Sequence, residues 1–197
     1  MMPYGRFIAA AEGVRYDLDV LAGRFGAGVE QVAHRMTTLQ RSERRGVPFF
    51  FLRTDNAGNV LKRIPAGGFP FARFGGLCPR WRVYDAFTTP GETLVQHVVL
   101  PDGARYLTIS RTVDTLRGGH AAGARKLAIT LGCPANFANA VIYGDGVDVA
   151  NVDRGIPIGV TCRVCVRTNC PARAMPAITQ PFKVDPTRKS LWPFQFA

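Results

Sequence analysis

The chain has 197 residues, 47% of them hydrophobic, enough for one domain with a real core, or one domain and a small appendage, and too apolar for a disordered tail. Lys and Arg number 25 against 14 Asp and Glu, a formal charge of +11 that points to an anionic partner. No apolar run reaches the ~20 residues of a bilayer span, and Met1–Arg15 lacks the pattern of a secretory signal, so the chain reads as cytoplasmic.

Helices come first. Tyr4–Val14, Tyr16–Phe25 and Val29–Leu39 carry apolar residues at three-to-four spacing, with Gly26-Ala27-Gly28 between the last two. The second and third also have the outline of a helix-turn-helix, although two short helices joined by a glycine turn are more often ordinary packing. A domain boundary is expected near Ser42–Gly46.

β-strands follow. Val47–Arg53 and Val60–Ile64 flank the turn Asp55–Asn59, and Thr93–Leu100 and Arg105–Val113 flank Pro101-Asp102-Gly103. Lys126–Leu131 is a further strand, and Gly132-Cys133-Pro134 is read as opening a helix to about Tyr143. The expected fold class is α+β: N-terminal helices over 1–45, then an antiparallel sheet with flanking helices, and from about Gly155 a loop-rich tail.

Between the hairpins, Gly67–Gly76 interleaves aromatics, glycines and Arg73, and Arg80-Trp81-Arg82 follows closely. Such a mixture offers apolar faces for a base or acyl chain and guanidinium forks for phosphate, or else phenylalanines that complete the core. Arg73, Arg80, Trp81 and, at a strand end, Arg111 are the candidate ligand contacts.

The tail carries the sharpest signal. Cys162, Cys165 and Cys170 stand in C-x2-C-x4-C-P order within nine residues, and five cysteines without an export signal argue against a disulfide framework. Zinc would want a second C-x2-C knuckle, which is lacking, so an iron–sulfur cluster fits the run better, with Arg163 and Arg167 offsetting its charge; zinc and a plain thiol cluster stay open. Cys78 and Cys133, each followed by proline, are equal candidates for a fourth ligand, and each is equally readable as a buried apolar side chain.

Catalysis is hard to assemble. His34, His97 and His120 are far apart, the four glutamates (Glu12, Glu30, Glu43 and Glu92) form no dyad, and no nucleophile-elbow, zincin or P-loop motif occurs. The chain reads as a binding module rather than an enzyme. The rivals are a zinc-stapled nucleic-acid-binding module and a thioester-acting enzyme with Cys133 or Cys78 as nucleophile.

The segments Pro3–Phe7, Arg35–Arg41, Gly46–Arg53, Phe71–Gly76, Cys78–Trp81 and Cys162–Pro171 together resemble the C-terminal half of the short-chain fatty acyl-coenzyme A responsive transcriptional regulators, nearest to the actinobacterial propionate and methylcitrate-cycle branch. The resemblance spans nearly the whole chain. It implies a GAF-like or PAS-like sensing domain over 46–197 that binds short acyl-coenzyme A, and a 4Fe-4S cluster on Cys162, Cys165 and Cys170. Residues 1–45 become the tail of a peptidase-like segment, and DNA is read by an N-terminal helix-turn-helix that this chain lacks. It supplies no motif for the acyl-coenzyme A contacts. Ligand or cluster state would then shift a two-state arrangement of the domain or of a homodimer.

Overall fold

The computed structural model describes residues 2–73, 75–113, 126–183, 187 and 194–196; Phe74 and His120 lie outside them. Three helices open the chain: α1 (Tyr4–Gly13), α2 (Leu18–Phe25) and α3 (Val29–Thr37). Asp17 caps α2 by accepting from the backbone N–H groups of Asp19 and Val20, and Gly26, at φ 56°, ends it in the left-handed conformation that glycine adopts without penalty. Gln31 reaches back to the Gly28 N–H at 3.1 Å and starts α3. The apolar stripe Phe7, Ile8, Ala11, Leu18, Leu21, Val32, Ala33 and Met36 is buried, as the three-to-four spacing requires.

The proposed boundary at 42–46 is a short hairpin, β1 (Gln40–Arg41) against β2 (Arg44–Arg45). The main sheet contains β3 (Phe50–Asp55), β4 (Val60–Ile64), β5 (Leu94–Val99), β6 (Arg105–Val113), β7 (Leu127–Pro134) and β8 (Ile156–Pro157), in the order β4-β3-β7-β6-β5-β8. All neighbours are antiparallel except β5 and β8. A two-residue pair, β9 (Phe182–Lys183) and β10 (Gln195–Phe196), lies in the tail.

Both faces of this sheet are covered. Phe51, Leu107, Ile109, Ile129, Leu131 and Cys133 pack with the three helices, so helices and sheet share one core. Phe50, Leu52, Tyr106 and Ala128 face the other way, against a layer of loop residues including Phe69, Leu77, Trp81, Val83 and Ile158. Period-two alternation assigns each strand residue to a face, and two-sided burial explains the unbroken Phe49-Phe50-Phe51-Leu52 run.

The helix expected from Gly132 to Tyr143 is replaced. β7 runs on through Pro134, with Gly132 opposite Phe50 and Thr108, and Cys133 opposite Leu107. Two 3-10 turns, Ala135–Ala140 and Ile142–Gly144, follow. Pairing with two neighbouring strands outweighs the local helix-start signal, and Phe50 closes on Gly132 so tightly that a Cβ there would lie 2.2 Å from its ring. No helix among the described residues is long and apolar enough to cross a membrane.

Candidate functional site

A cleft of about 650 Å³ opens along the outer side of β5, beyond the short stretch that β8 covers. One wall is the segment after Cys78, with Arg80, Trp81 and Arg82; the other comes from the 146–156 stretch, with Asp148 and Arg154. Gln96 of β5 clamps the first wall, donating to the Arg80 carbonyl at 2.9 Å and accepting from the Arg82 N–H at 3.0 Å. Arg82 meets Asp85 at 3.5 Å and Arg154 meets Asp148 at 3.9 Å, both loose and solvent-facing pairs.

Two residues behind the cleft are buried on opposite faces of the sheet, Trp81 in the loop layer and His97, opposite Leu107 in the register, on the helix side. His97 is 5% exposed and, among the described residues, neither ring nitrogen has a hydrogen-bond partner; Trp81 is 1% exposed and its Nε1–H has none among them either. Gly155 lies under the imidazole, where a Cβ would come 3.0 Å from Cε1. Burial lowers the His97 pKa, Arg105 lowers it further, and Asp148 opposes both, so burial favours the neutral ring.

Beside this cleft, Cys78, Cys162, Cys165 and Cys170 line one small cavity together with Gly159, Arg167 and Arg173. Gly159 permits the approach, since a Cβ would stand 2.8 Å from the Cys165 Sγ. The Cys78 thiol is raised in pKa, first by burial and also by Cys162 and Cys170, against backbone hydrogen bonds from Gly159 and Arg80. The four thiols share a cavity, yet no group of three His, Cys, Asp or Glu side chains among the described residues is arranged to hold a single metal ion.

Arg173 organises this loop. It is 3% exposed and donates to the carbonyls of Cys162 at 2.9 Å, Cys165 at 3.1 Å, Met175 at 3.4 Å, and Arg167. The Ala174 N–H points at the Cys162 Sγ from 3.5 Å, and the Phe196 ring lies 4.8 Å from the guanidinium. Among the described residues no carboxylate forms an ion pair with Arg173. A buried cation with carbonyl partners alone carries a desolvation cost that a neighbouring anionic group would offset. Arg167 ties the cavity to the sheet by donating to the carbonyls of Val99 at 3.2 Å and Ile158 at 3.4 Å.

The candidate residues are therefore divided. Arg80 and Trp81 line the cleft. Arg73 is exposed, and Arg111 lies on the helix-covered face, paired with Asp19 at 2.7 Å. Phe69 stacks on Trp81, and Phe69 and Phe71 both pack round Phe50, which is the core-completing role. Cys78 joins the tail thiols. Cys133 sits fully buried on the opposite face, where burial pushes its thiol up to about 12, making it a poor nucleophile. Arg163 is exposed, whereas Arg173, which carries no spacing signal, occupies the buried position. Arg154 and Asp148 were equally invisible, since only the fold brings them opposite Arg80.

Comparison with known proteins places these features in a family. The short-chain fatty acyl coenzyme A regulator, C-terminal family matches residues 38–194, and the IrrE N-terminal-like domain family matches residues 1–37. The chain is 47% identical to the propionyl-CoA carboxylase regulator of Cereibacter sphaeroides over 99% of its length, which is 42% of that protein. It is 42% identical to the HTH-type transcriptional regulator RamB and 41% identical to the HTH-type transcriptional regulator PrpR of Mycobacterium tuberculosis, over 98% of its length in both cases and 41% and 40% of theirs. It thus spans about two-fifths of these relatives. A solved Mycobacterium tuberculosis transcriptional regulator superposes with a TM-score of 0.91 at 41% identity, covering 98% of this chain and 59% of that one. Over most of its length, then, this chain belongs to the short-chain fatty acyl coenzyme A regulator family.

Proposed function

We propose that this chain is the effector-sensing region of a cytoplasmic transcriptional regulator of propionate and short-chain fatty acid metabolism. It binds short-chain acyl-coenzyme A and controls DNA binding by a helix-turn-helix that precedes it in the full regulator. It is not an enzyme, and the signal passes through a rearrangement of the domain or of a homodimer. The observation that carries this reading is the cleft of about 650 Å³, lined by Arg80, Arg82 and Arg154: cations for the phosphates of coenzyme A around a space large enough for a nucleotide. Arg73 and Arg111, outside the cleft, are ligand contacts only if the ligand extends beyond it. The sensing domain is GAF-like or PAS-like, and residues 1–45 continue a preceding peptidase-like region. Support for such a sheet comes from the strand order, in which β3 and β7, first and last of five antiparallel strands, are central neighbours.

The same region holds an iron–sulfur cluster, of 4Fe-4S type, on Cys162, Cys165 and Cys170 with Cys78 as the fourth ligand. Support comes from the donor set: four thiols on one cavity, not gathered for a single ion among the described residues, beside a buried guanidinium that pairs with no carboxylate among those residues. A cluster with thiolate ligands is anionic and would supply Arg173 with its counter-charge, and it would give the domain sensitivity to oxidants.

Titration calorimetry with propionyl-coenzyme A tests the first part. Saturable binding with a matching rise in melting temperature supports it, and absence of both refutes it. Iron and sulfide assayed on anaerobically purified protein test the second. Near-equal iron and sulfide with a broad absorption near ~400 nm support the cluster, and one zinc per chain without colour refutes it.

A further inference from the structure

The cleft runs beside an incomplete sheet edge. It is lined by Val95, Gln96 and His97 of β5, whose side chains leave the sheet on its two faces. The Gln96 amide is fixed to Arg80 and Arg82 in the loop layer, while Val95 and His97, opposite Ile109 and Leu107, go to the helix side. Between the faces, along the cleft, runs the backbone of β5. Parity decides which of its groups turn outward. The Val99 carbonyl does, since it accepts from the Ile158 N–H at 3.0 Å, and the register of β5 with β6 runs unshifted from Leu94 to Val99. His97 and Val95 therefore turn their N–H and C=O groups the same way. The Val95 carbonyl agrees, accepting from Arg82 Nη1 at 3.3 Å, and so does the Gln96 carbonyl, which accepts from the Thr108 hydroxyl on the β6 side at 3.2 Å. β8 takes up this outer edge only at Val98 and Val99. Among the described residues no loop carbonyl accepts from the His97 N–H, and the long bond from Arg82 is the only one to the Val95 carbonyl.

In a parallel pairing, one residue of an added strand, set opposite Gln96, donates to the Val95 carbonyl and accepts from the His97 N–H. β8 already meets β5 in parallel two residues on, with Ile156 opposite Val98. The pantetheine arm of coenzyme A has the matching chemistry, because two secondary amides flank its β-alanyl unit and give that unit one N–H and one C=O. We infer that the pantetheine arm lies along the open edge of β5 as an added strand, its β-alanyl unit bonded to the Val95 carbonyl and the His97 N–H. Pairing displaces Arg82 from Val95 and frees its guanidinium, 45% exposed, for a phosphate. The inference rests on the acyl-coenzyme A reading and adds a source of selectivity that the arginines lack. Any polyanion is drawn to Arg80, Arg82 and Arg154, whereas only a ligand with an amide arm completes the sheet edge.

Amide exchange followed by NMR on the 197-residue protein tests this with three ligands: propionyl-coenzyme A, ADP, which lacks the arm, and a propionyl-coenzyme A analogue whose β-alanyl N–H is replaced by an ester oxygen. In the free protein the His97 amide should exchange faster than those of Gln96 and Val98, which face β6. Saturating propionyl-coenzyme A should slow it by about tenfold or more, and ADP should leave it unchanged. By titration calorimetry the ester analogue should bind about tenfold more weakly than its parent, the loss of one hydrogen bond. Binding of propionyl-coenzyme A with the His97 amide unprotected, equal slowing by ADP, or equal affinity of the ester analogue overturns the pairing and leaves the acyl-coenzyme A reading standing. Failure of propionyl-coenzyme A to bind removes that reading, and the pairing with it.

Discussion

Replacing Arg173 by Met tests how the cysteine loop is held. The guanidinium donates to three carbonyls at short range, those of Cys162, Cys165 and Arg167, and more weakly to that of Met175. Methionine fills much of the volume but donates nothing. At roughly 1 kcal/mol net for each of the three close bonds, the loop loses about 3 kcal/mol, and removal of the buried charge returns part of it. Because every lost bond lies within 162–175, the loss falls on local opening rather than on global unfolding. About 3 kcal/mol corresponds to a roughly hundredfold rise in the opening equilibrium. Native-state hydrogen exchange reads this directly: the amides of Cys165, Arg173 and Ile178, which are hydrogen-bonded to Cys162, Cys170 and Arg163, should exchange up to about a hundredfold faster, while those of β6 and β7 should not change. Arg173→Lys, which keeps the charge and forfeits the fork, should fall between. Unchanged exchange at those three amides in Arg173→Met, or uniform acceleration across β6 and β7, would refute the assignment of Arg173 as the local organiser.

Other expectations follow from single contacts. Cys78→Ser should lower bound iron as severely as Cys170→Ser, while Cys133→Ser should leave it unchanged; equal losses at Cys78 and Cys133 would contradict the cavity. In metal-free protein under native conditions Cys170, the half-buried thiol, should be alkylated first and Cys133 last, as mass spectrometry after iodoacetamide would show. Gly132→Ala drives a Cβ to within 2.2 Å of the Phe50 ring; overpacking of about 2–3 kcal/mol should lower Tm by roughly 4–12 °C, and Phe50→Leu in the same chain should recover part of it, whereas additive losses would argue against the contact. His97 has a folded pKa below the usual imidazole value, so between that value and about 6.5 the unfolded chain binds the proton more readily and stability falls as pH is lowered. A His97→Leu protein should lose less stability than wild type from pH 7 to pH 5.5, measured by urea melts.

The helices and hairpins were legible because each rests on a local rule. Apolar spacing marks α1 to α3, and Asp55–Asn59 and Pro101-Asp102-Gly103 punctuate the strand pairs. Gly132-Cys133-Pro134 misled because proline suits a helix start and equally the end of a strand; the difference lies in Phe50 and Thr108 on the adjacent strands, which no window along the chain contains. The loop layer of 66–90 was invisible as a layer for a related reason. Phe69, Leu77, Trp81 and Val83 lack periodicity, and only a sheet face already exposing Phe50, Leu52 and Tyr106 gives them a common target.

The fourth cysteine shows where the limit falls. Cys78 and Cys133 have the same local signature, a buried thiol before proline, and they separate only through strand parity. In β7, Ala128 faces the loop layer while Ile129, Leu131 and Cys133 face the helices, so the alternation that buries Leu131 against the helices commits Cys133 to the same side. The tail crosses the opposite side, where β8 joins β5 and the Ile158 N–H donates to the Val99 carbonyl, and there Cys78 is the thiol within reach. The same crossing brings Arg154 and Asp148 to the cleft that Arg80 lines, so the thiol cavity and the cleft, which have no lining residue in common, are joined along the chain: residues 78–82 run from one into the other, and so do residues 154–162. Two sites joined by the same pair of short segments should respond together when a residue at the junction is changed. Cys78→Ser should therefore be measured for ligand affinity as well as for iron, with Cys133→Ser as the control that touches neither.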